Sequence, residues 1–338
     1  MKSKHERKAT PTISQVAAAA GVDRSTVSRA FTRPGMLSTE TVQRVLDAAE
    51  RIGYVPNHTA RALSTGRHGN IALIVPDVAN PFFPPLIRAV QREADQLDFC
   101  LFLGNTDEDP YQEDKLVGRF AGQVAGMILA SSRLPEAQIR AHTSKRPLVL
   151  INRDVNGIPR VLIDSGSGVE EAVAHLASLG HRGIVYISGP ASSWSNRQRR
   201  NAVRKAAEKL GLKHFTVPAP IPSYQAGRAA APQVLRTGAT AAIAFDDVTA
   251  HGLLAGLSDN GVAVPRDFSV VGCDDVLGAV TQPALTTVSN WSVEAGRAAV
   301  SLLFDMLQSS AIRDVRYVLE THLVVRDTTG AATPRQAL

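Results

Sequence analysis

The chain has 338 residues, a hydrophobic content of 44% and two cysteines. This length allows two or more domains, and no apolar run approaches the roughly 20 residues that a membrane helix needs, so we expect no membrane span. Cys100 and Cys273 have no CxxC neighbour, so neither a disulfide nor a metal site is expected, and a reducing cytoplasm fits. The charged segment 1–8 leads directly into helix signals, so we expect no export signal.

The net charge of +6 is concentrated at one end of the chain. Residues 1–70 hold 11 lysines and arginines against 5 aspartates and glutamates, which leaves 26 of each sign in the rest. A basic module on a neutral body is the electrostatic footprint of a nucleic-acid binder. The alternative is a solvated basic tail.

The sequence pattern of residues 12–29 predicts two short helices joined by a glycine turn. Thr12 and Gln15 have the spacing of a capping box at the start of the first helix. Gly21 permits the turn, and Asp23 can cap the second helix. This pattern is typical of the helix-turn-helix, which places its second helix in the DNA major groove.

The second helix carries Arg24, Ser25, Ser28 and Arg29, which helical spacing places on one outer face. Arginine can bond guanine O6 and N7 together, and serine suits phosphates or bases. These residues are therefore candidates for reading DNA.

A third helix is predicted from a Ser38 cap to Gly53, because apolar residues recur there at helical spacing. Those residues are Val42, Val45, Leu46, Ala49 and Ile52. Three short helices, each with one apolar face, favour a free-standing bundle. A helical hairpin inside a larger core is the alternative.

A fourth, very short helix is predicted over residues 57–64, after Pro56 and with Asn57 as its cap. It is shorter than the roughly 12 to 15 residues that make a helix stable in water, so we expect it to fold on binding. Leu63 has no evident core to enter, and a leucine wedged between base steps from the minor groove would explain it. A plain interdomain linker is the alternative.

From Asn70 onward, short apolar runs alternate with amphipathic helical patterns. This alternation predicts doubly wound parallel sheets, and the segment is long enough for two lobes. The predicted strands are 71–75, 100–104, 127–130, 148–152, 183–188, 241–245 and 268–272, and the predicted helices include 86–97, 169–179, 199–210 and 248–260.

Polar segments follow several of these strands, at the carboxyl ends where such folds bind ligands. They are residues 80–83, 152–153, 192–199, 246–247 and 274–275. Carboxylates and arginines can bind hydroxyl groups, and Phe82 or Trp194 can stack on an apolar ring face. For each of them, a solvated loop or a helix cap is the alternative.

Enzyme functions have weaker support. The two aspartate pairs could indicate metal or acid/base chemistry, but neither Cys273 nor His251 completes a known ligand motif. We interpret Cys273 as a buried strand-end residue, His251, His175 and His181 as surface or helix-end residues, and segment 164–168 as a helix cap. No nucleophile elbow is present, so we expect a protein that is not an enzyme.

The whole pattern resembles the lactose/galactose repressor family of bacterial transcription regulators. The resemblance rests on residues 12–29, Tyr54-x-Pro-Asn and Leu63, and extends through segments 74–83, 104–110, 179–182, 264–272 and 324–326. It implies an all-α helix-turn-helix headpiece and an α/β two-lobed domain like that of periplasmic binding proteins. The chain would cross between the lobes near Asp164, near Ser289 and at the final strand.

The resemblance also implies roles for individual residues. Arg24, Ser25 and Arg29 fall at base-reading positions, Thr12, Ser28 and Asn57 at phosphate-binding positions, and Leu63, with Ala60 beside it, at the minor-groove wedge. The implied effector-binding residues are Phe82, Arg153, Ser193, Ser195, Arg199, Asp246 and Asp274. Many relatives carry Asn-Asp where this chain has Asp246-Asp247, so effector preference cannot be copied from them. We expect Asp247 to cap the next helix rather than to touch the ligand.

We therefore predict a homodimeric transcription regulator, a repressor, that binds pseudo-palindromic operator DNA without a cofactor. A small effector, sugar-like or another polar metabolite, would bind between the lobes and shift the population that can bind DNA. The expected domains are 1–56 (headpiece), 57–69 (hinge helix and linker) and 70–338, with lobe one at about 70–163 and 291–320 and lobe two at about 164–289. A periplasmic sugar receptor and a sugar-acting enzyme are the competing hypotheses.

Overall fold

A computed structural model describes residues 11–54, 69–276, 278–309 and 314–333. The chain divides into two units, residues 1–67 and residues 68–338. Each unit has hydrophobic clusters of its own, so each is described by itself.

The described part of the first unit contains three α-helices and a short 3₁₀ turn. They are α1 (Ile13–Ala20), α2 (Arg24–Thr32), the 3₁₀ turn Pro34–Met36 and α3 (Thr39–Ile52). Val16, Val27 and Val45, one from each helix, are fully buried in the core. Gly21 and Gly53 end α1 and α3 with φ angles of 65° and 69°, in the left-handed region that favours glycine.

The helix ends agree in part with the predicted caps. Ser38 Oγ accepts from the Thr41 backbone N–H at 3.3 Å, and Gln15 Oε1 accepts from the Thr12 N–H at 2.7 Å. Asp23 occupies the cap position of α2, but its side chain makes no capping hydrogen bond. Leu46 is 38% exposed, so its assignment to the buried face of the third helix is wrong; Val45 and its neighbours at 48 and 49 turn inward instead.

Lobe one of the second unit contains a six-stranded sheet whose strand pairings are all parallel. The strands lie in the order β11-β5-β4-β3-β1-β2. They are β1 (Asn70–Val75), β2 (Cys100–Asn105), β3 (Gly126–Ala130), β4 (Leu148–Ile151), β5 (Arg160–Asp164) and β11 (Arg316–Glu320). The helices of this lobe are α4 (Phe83–Gln96), α5 (Pro110–Phe120), α6 (Glu136–Thr143) and α11 (Ser292–Gln308).

Lobe two repeats the architecture with the strand order β12-β10-β9-β8-β6-β7. Its strands are β6 (Gly183–Ser188), β7 (Lys213–Pro218), β8 (Ala241–Ala244), β9 (Ser269–Cys273), β10 (Thr286–Val288) and β12 (Leu323–Val324). Its helices are α7 (Ser165–Ser178), α8 (Trp194–Lys209), α9 (Tyr224–Arg236) and α10 (Asp247–Asp259), with a 3₁₀ turn at Gly278–Val280. The prediction of doubly wound parallel sheets is confirmed, apart from β12, which pairs antiparallel with β10.

Within the described residues, the chain passes between the lobes at three places. These crossovers follow Asp164, run through residues 289–291, and run through Thr321 and His322. They are bonded to one another: Thr321 Oγ1 donates to Asp164 O at 2.8 Å, and the Ser289 N–H donates to His322 O at 2.9 Å. A hydrogen-bonded bundle of crossovers is a suitable hinge, because few backbone torsions must change when the lobes move.

Several features of this unit differ from the sequence-based expectations. The edge strand β7 was missed because most of its residues are exposed and it lacks a continuous apolar run. The buried strands β5 and β10 were also missed, because neither has more than three consecutive apolar residues. His181 is only 1% exposed, so its interpretation as a surface residue is wrong. Its Nδ1 lies 2.7 Å from Thr240 Oγ1 and its Nε2 3.0 Å from Ser269 Oγ, and burial lowers its pKa.

Candidate functional site

The first candidate surface is the outer face of α2. Arg24, Ser25, Ser28 and Arg29 are exposed there, while Val27 of the same helix is fully buried. Arg29 Nη2 donates to Ser25 Oγ at 3.4 Å, one helical turn away. The structure thus brings together the predicted base-reading side chains and leaves them free of the core.

The remaining DNA-binding candidates fall in two places. Thr12 is exposed at the first turn of α1. Asn57, Ala60 and Leu63, together with the rest of the predicted hinge helix, lie outside the described residues.

The second candidate site is a cleft between the two lobes of the second unit, here called the interlobe cleft. Its free volume is about 40 Å³. Asn80 Nδ2 of lobe one donates across it to Asp246 Oδ2 of lobe two at 2.9 Å. The lining residues are Asn80, Phe82, Phe83, Glu108, Ser131, Arg133 and Asn152 from lobe one, and Ser193, Ser195, Arg199, Pro222, Phe245, Asp246 and Asp274 from lobe two.

A buried ion pair forms the lobe-two wall of the cleft. Arg199 Nη2 binds Asp274 Oδ1 at 2.7 Å, Nε donates to Ser165 Oγ at 3.0 Å, and Nη1 donates to the Phe245 carbonyl. The Arg199 guanidinium carbon lies 5.2 Å from the centre of the Phe245 ring, a cation–π distance. Every nitrogen of the guanidinium is therefore held by lobe two itself, which fixes its orientation towards the cleft.

The helix cap that the sequence predicted for Asp247 is provided by its neighbour Asp246, which also lines the cleft. Asp246 is the cap of α10, since its Oδ1 accepts from the Thr249 N–H at 2.8 Å. Asp247 is buried and accepts from Thr287 Oγ1 at 2.6 Å and from the Val276 N–H at 3.0 Å. The expectation that Asp247 caps the helix is wrong: it fastens the segment after β9, and burial raises its pKa well above the usual range.

A second ion pair, between Arg133 and Glu108, forms the lobe-one wall. Arg133 Nη2 binds Glu108 Oε1 at 2.9 Å, and Nη1 donates to Ser131 O at 2.9 Å. Sequence reasoning missed these three residues, although they follow β2 and β3 at the same carboxyl edge. Applying the strand-end rule to every strand would have found them.

Two further candidates lie outside the set of residues that line the cleft. Arg153 is not among the residues that line it; its Nη2 donates to Leu134 O at 2.8 Å, and its neighbour Asn152 lines the cleft instead. Trp194, a candidate for stacking, is 6% exposed and is not among the lining residues.

The buried pair makes the stability of the second unit depend on pH. Burial raises the pKa of Asp274 to about 6, although Arg199 opposes the shift. When the pKa of a carboxyl is higher in the folded state than in the unfolded state, the group takes up a proton on folding at any pH between those two values. The free energy of unfolding should therefore fall as pH rises from about 4 to about 6 and then level off.

Urea unfolding of the wild type and of Asp274→Asn at a series of pH values would measure this slope. Trp194 and Trp291, the only two tryptophans of the chain, both lie in the second unit, so their fluorescence reports that unit alone. The Asn variant should lose the decline attributed to Asp274. Parallel pH curves for the two proteins would contradict the assignment.

The described residues contain no group of three histidine, cysteine, aspartate or glutamate side chains that could hold a metal ion. None of the helices in that part of the chain is long and apolar enough to cross a membrane.

Comparison with known proteins gives matches to both units. Residues 12–57 match the family model described as bacterial regulatory proteins, lacI family, and residues 173–329 match a periplasmic binding protein-like domain. The chain is 32% identical to the HTH-type transcriptional regulator DegA of Bacillus subtilis, over 94% of this chain and 98% of that protein. It is 31% identical to the HTH-type transcriptional repressor CytR of Escherichia coli, over 98% and 99%.

Solved structures give the same result. The lac repressor dimer bound to operator and the anti-inducer ONPF matches with a TM-score of 0.86 and 26% identity, over 96% of this chain and 100% of that one. A complex of the regulator CelR with cellobiose matches with a TM-score of 0.70 and 30% identity, over 94% and 99%.

Proposed function

Because the chain belongs to the lacI family of bacterial regulatory proteins, it is a DNA-binding transcription regulator, and we propose that a small polar metabolite in the interlobe cleft controls its operator binding. One observation carries this proposal. Two arginine–carboxylate pairs, one on each lobe, face the same cleft; the Arg199–Asp274 pair is buried, and in the other pair Arg133 is buried while Glu108 is 17% exposed. Buried charges of this kind are costly unless they are paired, and they cluster where a ligand must be recognised.

The chemistry of the cleft favours a polyhydroxylated ligand. Carboxylate oxygens of Asp246 and Asp274 can accept from hydroxyl groups, and Arg133 and Asn152 can donate to them. Phe82 offers an apolar surface for a ring face. Structures of relatives contain cellobiose and ribose, which supports a sugar or a sugar-like metabolite as the effector.

The free volume of the cleft requires a movement. About 40 Å³ holds only a few water molecules, and Asn80 bonds to Asp246 across the cleft, so we infer that a sugar enters after the lobes part. The Asn80–Asp246 hydrogen bond then gives way to bonds with the ligand. The hydrogen-bonded crossovers act as the hinge of this movement. A ligand bound in the cleft then favours one arrangement of the two lobes.

On the DNA side, we propose a homodimer that presents two copies of α2 to successive major grooves of a pseudo-palindromic operator. Arg24, Ser25 and Arg29 would read bases, Thr12, Ser28 and Asn57 would bind phosphates, and Ala60 and Leu63 would lie at the minor groove. The operator-bound dimer of the lac repressor supports this arrangement. The lobe arrangement would decide whether the two headpieces fit DNA together.

We propose no catalytic activity. The cleft carboxylates are engaged: Glu108 binds Arg133, Asp274 binds Arg199, and Asp246 caps α10. No acid/base pair is left unpartnered among the described residues of the cleft, which supports a binding role over turnover.

The function is tested by screening sugars, sugar acids and nucleosides for thermal stabilisation of the full-length protein. Each stabilising compound is then titrated into the protein bound to a duplex that the protein has selected from a random pool. We expect one class of compound both to raise the melting temperature and to change the affinity for DNA. Selection of no preferred duplex, or stabilisation without any change in DNA affinity, would contradict the proposal.

Asn80→Asp tests the interlobe bond. It keeps the acceptor for the Phe82 N–H but sets two carboxylates against each other across the cleft. Like charges at this distance should disfavour closure and weaken effector binding by about tenfold. The N80D/D246N double variant restores one amide facing one carboxylate, and an amide oxygen can still cap α10, so it should recover most of the affinity. Equal affinity in all three proteins would reject the role of this bond.

A further inference from the structure

Lobe two carries a second cavity, outside the interlobe cleft, here called the α8–β7 pocket. Its free volume is about 250 Å³, far more than that of the cleft. The lining residues are Tyr186 of β6, Arg200, Asn201, Val203 and Arg204 of α8, and His214, Phe215 and Thr216 of β7. None of them lines the cleft.

The polar part of this lining is cationic. Arg200 and Arg204 stand one turn apart on α8, and the lining contains no aspartate or glutamate. The side chain of Arg200 makes no hydrogen bond or ion pair with any residue that the structure describes. Arg204 binds Glu208 through Nη1 alone, at 3.0 Å, which leaves Nε and Nη2 available. At least one full positive charge is therefore unneutralised in a concave site.

The remaining lining supplies a floor and further polar groups. Val203 and the fully buried Tyr186 form an apolar base. Thr216 and Asn201 bring a hydroxyl and an amide to the rim. A volume slightly below the range of about 300–1,000 Å³ seen for drug-sized ligands fits a small metabolite.

We propose that the α8–β7 pocket is a second binding site, specific for a small phosphate ester such as a phosphorylated sugar. Guanidinium groups bind phosphate oxygens with two parallel hydrogen bonds, and the threonine and asparagine side chains can complete the shell. The apolar floor would support the carbon skeleton. This site is spatially separate from the cleft and shares no lining residue with it.

The pocket is connected to the cleft by a short path. Arg200 in the pocket follows Arg199, which lies in the cleft wall, on the same helix. Tyr186 of the floor donates its hydroxyl to Asn196 Oδ1 at 2.9 Å, and Asn196 Nδ2 donates to Gly189 O at 3.1 Å. Gly189 begins the loop that leads to Ser193 of the cleft. A bound phosphate ester should therefore change the affinity of the cleft for its effector.

Isothermal titration of the full-length protein with ribose 5-phosphate, inorganic phosphate and ribose tests the site. We expect saturable binding of ribose 5-phosphate and weaker binding of inorganic phosphate. Ribose has no phosphate group, so any Kd measured for ribose should be the same in the wild type and in Arg200→Ala. Arg200→Ala should raise the Kd for ribose 5-phosphate by at least about tenfold, the usual effect of losing a charged hydrogen bond. Lys205→Ala removes the same charge from an exposed position of α8 outside the lining and should leave the Kd unchanged.

Other outcomes would overturn the proposal. No saturable binding at millimolar ribose 5-phosphate would do so. An unchanged Kd in Arg200→Ala would also do so, and loss of binding in Asp274→Asn or Arg29→Ala would then place the phosphate in the cleft or on the headpiece.

Discussion

Asp274→Ala should lower the free energy of unfolding of the second unit by about 3 to 5 kcal/mol, the usual cost of removing one partner from a buried ion pair. Both side chains of the Arg199–Asp274 pair are only 8% exposed. Without the carboxylate, the Arg199 charge stays buried, and its bonds to Ser165 and to the Phe245 carbonyl cannot neutralise it. Urea unfolding followed by tryptophan fluorescence measures the change through the midpoint, provided that the slope stays constant.

The matched control is Asp259→Ala. It removes an aspartate from the Arg228–Asp259 pair, whose 2.6 Å contact is equally short but whose partners are about half exposed. Solvent screens such a pair, so little change is expected. If both substitutions lower the free energy of unfolding equally, burial does not determine how much the Arg199–Asp274 pair contributes to stability.

The same residue separates stability from ligand recognition. Asp274→Asn keeps an oxygen acceptor for Arg199 but loses the negative charge, so the protein should fold while its effector response is largely lost. If Asp274→Asn binds the effector with wild-type affinity, and the effector still changes its DNA affinity as in the wild type, the role of Asp274 in the cleft is contradicted.

Arg29→Ala should reduce the affinity for the selected DNA site by about 1 to 3 kcal/mol, or about five- to 150-fold, and relax the preference at one base position. Arg29 is exposed on α2, and among the described residues its side chain bonds only to Ser25, at a long 3.4 Å. Its guanidinium is therefore available for a base. Binding to the selected duplex and to a scrambled duplex at one salt concentration gives the specificity ratio.

Arg44→Ala is the control for this substitution. It removes the same charge from an exposed position of α3, outside the reading face of α2. Its effect should be small and equal for both duplexes, because a general positive charge contributes to non-specific attraction. An unchanged sequence preference in Arg29→Ala would reject the assignment of α2 as the reading helix.

Local patterns made much of this molecule predictable. The exposed polar face of α2 follows from helical spacing and the buried Val27, and the glycine ends of α1 and α3 follow from the left-handed φ that glycine adopts. Strands β3, β4 and β8 were among those found, because strands buried on both faces are continuous apolar runs. The buried strands β5 and β10 were missed, since neither has more than three consecutive apolar residues. Edge strand β7 was missed, since its exposed residues carry no such signal.

The cleft shows where sequence reasoning ends. The strand-end rule located Arg199, Asp246 and Asp274, but it could not say which partner each would take. Asp246 and Asp247 are adjacent and chemically identical, and only their positions at the start of α10 decide that the first caps the helix and the second is buried against Thr287. Arg133 and Arg153 both follow strands, and only packing decides that Arg133 faces the cleft.

The sequence by itself determined the helix-turn-helix, the location of the net positive charge, the alternating architecture and the edge of the sheets where a ligand would bind. These properties depend on residue spacing and charge within short segments. The tertiary structure alone decided the Arg133–Glu108 and Arg199–Asp274 ion pairs, whose partners are 25 and 75 residues apart in sequence. It also decided the bond between Asn80 and Asp246, which are 166 residues apart, and the α8–β7 pocket. Such contacts join distant segments, and their geometry is set by how helices and sheets pack rather than by any local pattern.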